Sequence, residues 1–214
     1  MSVLASYIDH TLLKPTTTHI EINRICTEAR EYGFAAVCVP PPFVSWAKRS
    51  GVRVATVIGF PFGYSVTKAK LAEVEQALAD GADELDVVID LIQLKGGEWA
   101  SLEAEMRAIT ALIHGAGRVV KVIIESGVLT EDEIVRCCEI YGGLGVDFLK
   151  TSTGYAEKGA SVEAVRWMRR HLPAGVRIKA SGGIRTYAFA RELIEAGADR
   201  LGCSASVEIV KSYV

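Results

Sequence analysis

Short β-branched runs alternate with longer segments of helical period from one end of this chain to the other, and that alternation constrains its fold more than any other feature. The runs are Tyr7–His10, Ala35–Val39, Arg53–Ile58, Glu84–Ile89, Val119–Ile124, Phe148–Thr151, Arg177–Ala180 and Arg200–Cys203. Each is followed by a segment that reads as helix. Eight such units predict an α/β fold in which a parallel sheet closes on itself, the (β/α)8 TIM barrel. A doubly wound open sheet would alternate in the same way, but no G-x-G-x-x-G follows the first run, so it ranks second. No linker or low-complexity stretch interrupts the pattern. With 214 residues, half of them hydrophobic, the chain fits one domain spanning 1–214.

A weak internal repeat supports the closed barrel. Gly81-Ala82-Asp83-Glu84-Leu85, Gly145-Val146-Asp147-Phe148-Leu149 and Gly197-Ala198-Asp199-Arg200-Leu201 stand at helix-to-strand junctions, with Tyr32-Gly33-Phe34 as a looser copy. Glycine there can take the left-handed conformation that closes a helix. The opposite junctions, after the strands, are rich in glycine and polar residues: Gly59-Phe60-Pro61-Phe62-Gly63, Glu125-Ser126-Gly127, Thr151-Ser152-Thr153-Gly154, Ser181-Gly182-Gly183 and Gly202-Cys203-Ser204. In a barrel these loops share the catalytic face.

Charge excludes several function classes. A formal net charge of -2 leaves no excess of positive charge for nucleic acid or an anionic membrane surface. The chain has no apolar run of membrane-spanning length, and its first residues lack the pattern of a signal peptide, which together predict a soluble, cytoplasmic protein. Five cysteines without a C-x-x-C spacing fit a reducing compartment and predict neither a disulfide framework nor a zinc site. For the adjacent Cys137-Cys138 in a helical segment, the expectation is two small side chains of which one is buried.

Four charged residues interrupt runs that should otherwise be core: Asp86, Lys121, Lys150 and Lys179, on four consecutive strands. Side chains that point inward from neighbouring strands at similar depth would meet in one pocket. Burying three cations with one carboxylate is costly unless function requires it. Lys121 taken alone reads equally well as a functional group or as a structural one, either in a lumen salt bridge or snorkelling outward between helices. Two unit charges about 4 Å apart repel by about 4 kcal/mol at an effective dielectric near 20, enough to hold one amine partly neutral and nucleophilic. Asp86 opposes that effect, so the lysine farther from Asp86 is expected to be the nucleophile.

The loops after the last two strands, Ser181-Gly182-Gly183-Ile184-Arg185 and Gly202-Cys203-Ser204, each precede a helical segment, so backbone N–H groups can converge on a phosphate there. Tight turns that need glycine are the plainer reading of the same residues. His10, His19, His114 and His171 are scattered and show no metal-binding spacing, so no metal is expected, and His114 and His171 read as surface residues complementing helix ends. Cys38 ends a strand run on the catalytic face and reads either as a small core residue or as part of an aldehyde pocket.

Seven ordered motifs carry a resemblance over nearly the full chain: Tyr7-Ile8-Asp9-His10-Thr11-Leu12-Leu13-Lys14-Pro15, Val57-Ile58-Gly59-Phe60-Pro61, Gly81-Ala82-Asp83-Glu84-Leu85-Asp86-Val87-Val88, Val119-Val120-Lys121-Val122-Ile123-Ile124-Glu125, Asp147-Phe148-Leu149-Lys150-Thr151-Ser152-Thr153-Gly154, Lys179-Ala180-Ser181-Gly182-Gly183-Ile184-Arg185-Thr186 and Arg200-Leu201-Gly202-Cys203-Ser204. In these the chain resembles the deoxyribose-phosphate aldolases, class I aldolases of deoxynucleoside catabolism. The resemblance implies a Schiff-base lysine at Lys150, a second active-site lysine at Lys179 and a proton-relay aspartate at Asp86. It implies substrate contacts at Asp9, Thr11, Cys38, Lys121 and Thr151, and phosphate contacts at Gly154, Gly182, Gly183, Gly202 and Ser204. No cofactor is implied. The substrates would be a sugar phosphate and aldehydes, and the assembly a homodimer or homotetramer.

Two positions depart from the family pattern. Tyr155 stands where some members carry a lysine, and Ala205 where some carry a second serine. Weaker phosphate affinity, or greater tolerance of unphosphorylated aldehydes, is the expected consequence. A transaldolase-like or ketose-phosphate aldolase is the nearest alternative, and a catalytically silent sugar-phosphate-binding barrel the alternative from another class. The tail Glu208–Val214 is expected at the surface rather than draping Tyr213 toward the mouth.

Overall fold

The four junction glycines take the left-handed conformation the repeat requires, with φ of 72° at Gly33, 91° at Gly81, 68° at Gly145 and 116° at Gly197. The aspartate of the repeat has a task of its own. Asp83, Asp147 and Asp199 each accept a backbone N–H from the start of the preceding strand, from Val54 at 2.9 Å, Val120 at 2.9 Å and Ile178 at 2.8 Å. Each repeat therefore ends one helix, opens the next strand and ties it to its neighbour.

In the computed structural model, which describes residues 3–212, the strands are β1 Ile8–Thr11, β2 Ala36–Val39, β3 Val54–Ile58, β4 Glu84–Val88, β5 Val119–Ile123, β6 Phe148–Lys150, β7 Arg177–Ser181 and β8 Arg200–Cys203. They form a closed barrel in sequence order, and β1 pairs in parallel with both β2 and β8. The helices are α1 His19–Tyr32, α2 Val44–Lys48, α3 Thr67–Ala79, α4 Leu91–Lys95, α5 Trp99–Gly115, α6 Glu131–Gly143, α7 Val162–His171, α8 Tyr187–Glu195 and α9 Ser206–Lys211. Every strand boundary lies within one residue of its expected position. The open sheet is thereby ruled out.

Local signals explain the helix ends. Thr18 with Glu21 and Thr130 with Glu133 form capping boxes at the starts of α1 and α6. Ser161 and Thr186 cap α7 and α8 through their hydroxyls. Helices cover the outer face of the sheet while side chains fill the lumen, so β3 and β4 are buried at every position. Their near-continuous apolar character follows from that double burial.

Two expectations are corrected here. Cys137 and Cys138 are both buried, because α6 is covered by the sheet on one side and by α7 on another. The end of the chain is not simply superficial: Ile209 of α9 is fully buried while Glu208 is exposed, and Tyr213 and Val214 lie outside the described residues. No helix among the described residues is long and apolar enough to cross a membrane.

Outside the lumen, one ion pair among the described residues has both side chains buried. Lys70 of α3 lies 2.6 Å from Glu105 of α5 and donates to the Val88 carbonyl at 3.0 Å, while the Thr67 hydroxyl donates to Glu105 at 2.8 Å. This arrangement packs α3 and α5 against the top of β4. Removing one partner leaves a buried charge alone, whereas removing both does not. Glu105→Leu is therefore expected to cost about 3–5 kcal/mol in urea unfolding, and Lys70→Met combined with Glu105→Leu to recover most of that loss.

Candidate active site

Side chains two apart on a strand share a face, so Glu84 and Asp86 of β4 both enter the lumen. Register places Asp86 beside Lys121 and Lys150 beside Lys179. The Asp86 carboxylate is the meeting point: Oδ1 accepts from Lys121 Nζ at 2.6 Å, and Oδ2 accepts from both Lys150 and Lys179 at 2.8 Å. Around this centre Asp9 of β1 lies 2.5 Å from Lys179, 2.6 Å from Arg200 and 3.5 Å from Lys121. Glu84 lies 2.7 Å from Lys121 and 3.4 Å from Arg200.

Four cations thus share three carboxylates in the lumen, and they do not share them equally. Lys121 meets Asp9, Glu84 and Asp86, Lys179 meets Asp9 and Asp86, and Arg200 meets Asp9 and Glu84. Lys150 meets Asp86 alone. Distance from Asp86 does not single out the nucleophile, since Lys150 and Lys179 are equally near; the number of carboxylates does. Burial pushes the Lys150 amine below the ordinary lysine range, Asp86 only partly restores it, and Lys179 lowers it further. Burial also acts against Lys179 and Lys121, but carboxylates outweigh it and hold Lys179 above its ordinary value and Lys121 well above. Burial works against both carboxylates, but Lys121 and Lys179, joined by Lys150 at Asp86 and by Arg200 at Asp9, hold them well below the usual carboxylate range. A neutral Lys150 leaves three cations against three carboxylates. The second cation expected to depress Lys150 does contribute, but loss of water around the amine is the larger cause.

Above this network a cavity of about 300 Å³ opens on the face formed by the loops after the strands. Lys150 is the one member of the charged network that lines it. Thr11, Gly154, Gly182, Gly183, Gly202 and Ser204 line it too, so the expected phosphate positions and the expected nucleophile share one space. Glycine is needed where the loops meet: a Cβ on Gly182, at φ 88°, would lie 3.1 Å from Gly159 Cα and 3.3 Å from Gly154 Cα. A side chain on Gly202 would press on Ser181 Cβ at 2.8 Å and on Lys179 Cε at 3.1 Å.

Other expected site residues lie away from the cavity. Thr151 is buried, its hydroxyl donating to the Ser181 carbonyl at 3.2 Å and accepting the Ser181 N–H at 3.0 Å, so it joins the β6 and β7 loops. Cys38 is buried among Ala55, Val57, Leu13 and Phe60, and burial pushes its thiol up. Asp9 and Lys121 sit beneath the cavity, and Lys121 is a lumen ion pair rather than an outward lysine. His10 points out of the barrel, to Glu28 at 2.7 Å and Ser206 at 2.9 Å. His114 pairs with Asp147 at 2.9 Å near the end of α5.

The sequence hid several members. Glu84 and Arg200 begin their strands, where a charge reads as a solvated end, although the two-residue spacing from Glu84 to Asp86 would have placed both carboxylates inside. Glu125, after β5, is buried with φ 54° and accepts both the N–H and the hydroxyl of Thr153. Lys14, Tyr155 and Arg185 line the cavity from three different loops, a convergence no local pattern announces.

Comparison with known proteins agrees with this geometry. The profile of the DeoC/LacD family aldolases matches residues 3–206. The deoxyribose-phosphate aldolase of Thermococcus gammatolerans is 47% identical over 97% of this chain and 95% of its own. Among solved structures, the aldolase QR15 superposes with a TM-score of 0.94 at 39% identity, covering 100% of this chain and 96% of that one. The deoxyribose phosphate aldolase of Aeropyrum pernix, described as a unique tetrameric structure, gives 0.91 at 35% identity, covering 98% and 90%.

The electrostatics predict a pH signature. Imine formation needs a neutral amine, so if Lys150 is the expected nucleophile the rate should fall as pH drops through its pKa, on an acid limb below the ordinary lysine range. Lys179→Leu removes a cation that holds the amine down, so the limb should move alkaline and the rate at neutral pH should fall at least about tenfold. A pH–rate profile of the variant checks both.

Proposed function

Because the chain belongs to the DeoC/LacD family of aldolases, we propose that it catalyses the reversible cleavage of 2-deoxy-D-ribose 5-phosphate to acetaldehyde and D-glyceraldehyde 3-phosphate through a Schiff base on Lys150. One observation carries the assignment of the lysine. Lys150 is both the cation with the fewest carboxylate partners and the member of the network that opens onto the cavity.

The neutral Lys150 amine attacks C1 of the open-chain sugar, and loss of water gives an iminium that draws the electrons of the C2–C3 bond. Asp86, 2.8 Å from the reacting nitrogen, is a fixed carboxylate aimed at the charge that develops there. Preorganised countercharge of this kind needs no reorganisation during reaction. Lys179 stays charged against Asp9 and Asp86, keeping the Asp86 oxygen oriented and its carboxyl ionised. Asp86, with Lys179 and water, moves the proton from the C3 hydroxyl and returns one to the enamine. Water then adds to the remaining iminium, breaking the C1–Nζ bond to release acetaldehyde and the Lys150 amine, and because the protonated imine is itself the electron sink the cycle closes without a cofactor.

The glycine-rich loops after β6, β7 and β8 hold the phosphate through Gly154, Gly182, Gly183, Gly202 and Ser204, so binding energy far from the reacting carbons aligns C1 with Lys150. Asp9 and Lys121 act from below the cavity, on the charges of the network. Thr11 is close enough to the mouth to meet a substrate hydroxyl. A charged sugar-phosphate substrate agrees with a cytoplasmic location. A homo-oligomer is supported by the tetrameric relative and by exposed Phe62, Tyr64, Val66 and Ile92.

Borohydride reduction in the presence of acetaldehyde tests the reading. The stable adduct is expected on the peptide bearing Lys150. Lys150→Leu should lose the adduct and fall to about a thousandth of wild-type cleavage or lower. Adducts spread over surface lysines, or near-normal turnover by the variant, would sink the assignment.

A further inference from the structure

Apart from the Lys150 amine, the cavity is lined by two cationic side chains, Lys14 and Arg185, and by no carboxylate. In a chain of net charge -2 that lining selects an anion. Lysine in the loop after β6 would be one natural source of charge, but Tyr155 occupies that place and supplies none. Its hydroxyl instead donates to the Leu13 carbonyl at 2.7 Å, one residue before Lys14.

The contacts around Tyr155 show that this bond is held in place rather than incidental. Its ring packs edge-on against Phe60, centroids 5.3 Å apart at 88°. Its N–H donates to the Thr153 hydroxyl at 3.1 Å, and that hydroxyl donates in turn to Glu125. Glu125 is buried in a left-handed backbone conformation uncommon for a residue with a side chain, which persists only where the surroundings hold it. A continuous belt of polar contacts therefore runs from the β5 loop through the β6 loop to the β1 loop. On the other side of Lys14, its carbonyl accepts both the N–H of Thr17 at 3.1 Å and the Thr17 hydroxyl at 2.7 Å. The backbone is fixed before and after Lys14. Its ammonium takes part in none of the ion pairs formed among the described residues.

We propose that Lys14 is a phosphate-binding cation of this site, taking the phosphate-monoester end of the substrate, and that Tyr155 is the residue that positions it by holding the Leu13 carbonyl. The positive charge is delivered from the β1 loop, and the β6 loop contributes the brace. The substrate named here rests on the aldolase reading; the anion site itself is measured without it.

The test compares kcat/KM for 2-deoxyribose 5-phosphate with that for unphosphorylated 2-deoxyribose. Lys14→Ala should lower the ratio of the two about tenfold, an effect that weakens at high salt. Tyr155→Phe, which keeps the ring and removes the hydroxyl, should lower the same ratio about threefold and add nothing to Lys14→Ala, because both act through one ammonium. Tyr155→Lys in the Lys14→Ala background should bring the ratio back to within about twofold of wild type. A ratio unchanged by Lys14→Ala would overturn the proposal, and independent multiplication of the two losses would overturn the positioning role. Calorimetric titration with inorganic phosphate separates this site from the reaction. Phosphate bound about tenfold more weakly by Lys14→Ala sustains the site even if the protein cleaves no sugar, and equal binding by both proteins refutes it even if cleavage is intact.

Discussion

One cation more than the lumen carboxylates can balance is the constraint on which the rest of the site depends. Asp9, Glu84 and Asp86 meet Lys121, Lys179 and Arg200, Glu84 also reaching the exposed Arg53 at 3.4 Å, and the remaining lumen cation, Lys150, receives only a share of one Asp86 oxygen. Charging Lys150 would place an excess of positive charge where burial already penalises it. A neutral amine would balance the network, and burial holds Lys150 below the ordinary lysine range in that direction. In the proposed reaction, positive charge returns to that nitrogen when the iminium forms, and Asp86 is already in place to meet it. The same carboxylate that limits the depression of the amine stabilises the intermediate.

The barrel separates this chemistry from recognition along its axis. Charges on the strands form a layer whose geometry is set by register, the most rigid property of a closed sheet. The loops above, joined through Thr151 to Ser181 and through the close approach of Gly154, Gly159 and Gly182, build the cavity walls. Below, Asp83, Asp147 and Asp199 tie neighbouring strands together. Reactivity therefore rests on the scaffold, and selectivity on segments able to change without disturbing it.

How much of this was legible in the sequence depended on whether a residue broke a local rule. Strand positions were readable because parallel strands covered on both faces are almost uninterrupted apolar runs, and Asp86, Lys121, Lys150 and Lys179 stood out within them. Glu84 and Arg200 broke no rule, since charge at a strand end is ordinary, and yet they complete the balance that distinguishes Lys150 from Lys179. Without them, distance from Asp86 was the only available criterion, and the two lysines are equidistant. Thr151 reads like a mouth residue but turns sideways, because its hydroxyl pairs with the backbone of Ser181. Lys14, Glu125 and Tyr155 come together only when loops from distant parts of the chain converge, and sequence spacing carries no trace of that.

The ionisation of the Lys150 amine decides the chemistry of the site, so the most direct measurement is a site-resolved titration. Nitrogen-15 NMR of the lysine side-chain amines, assigned by conservative substitution and followed across pH without substrate, separates Lys150 from Lys179 and Lys121. Lys150 is expected to titrate below the ordinary lysine range while Lys179 and Lys121 stay charged to higher pH than a free lysine. A Lys150 that titrates at or above the ordinary range, alongside Lys179, would contradict that expectation.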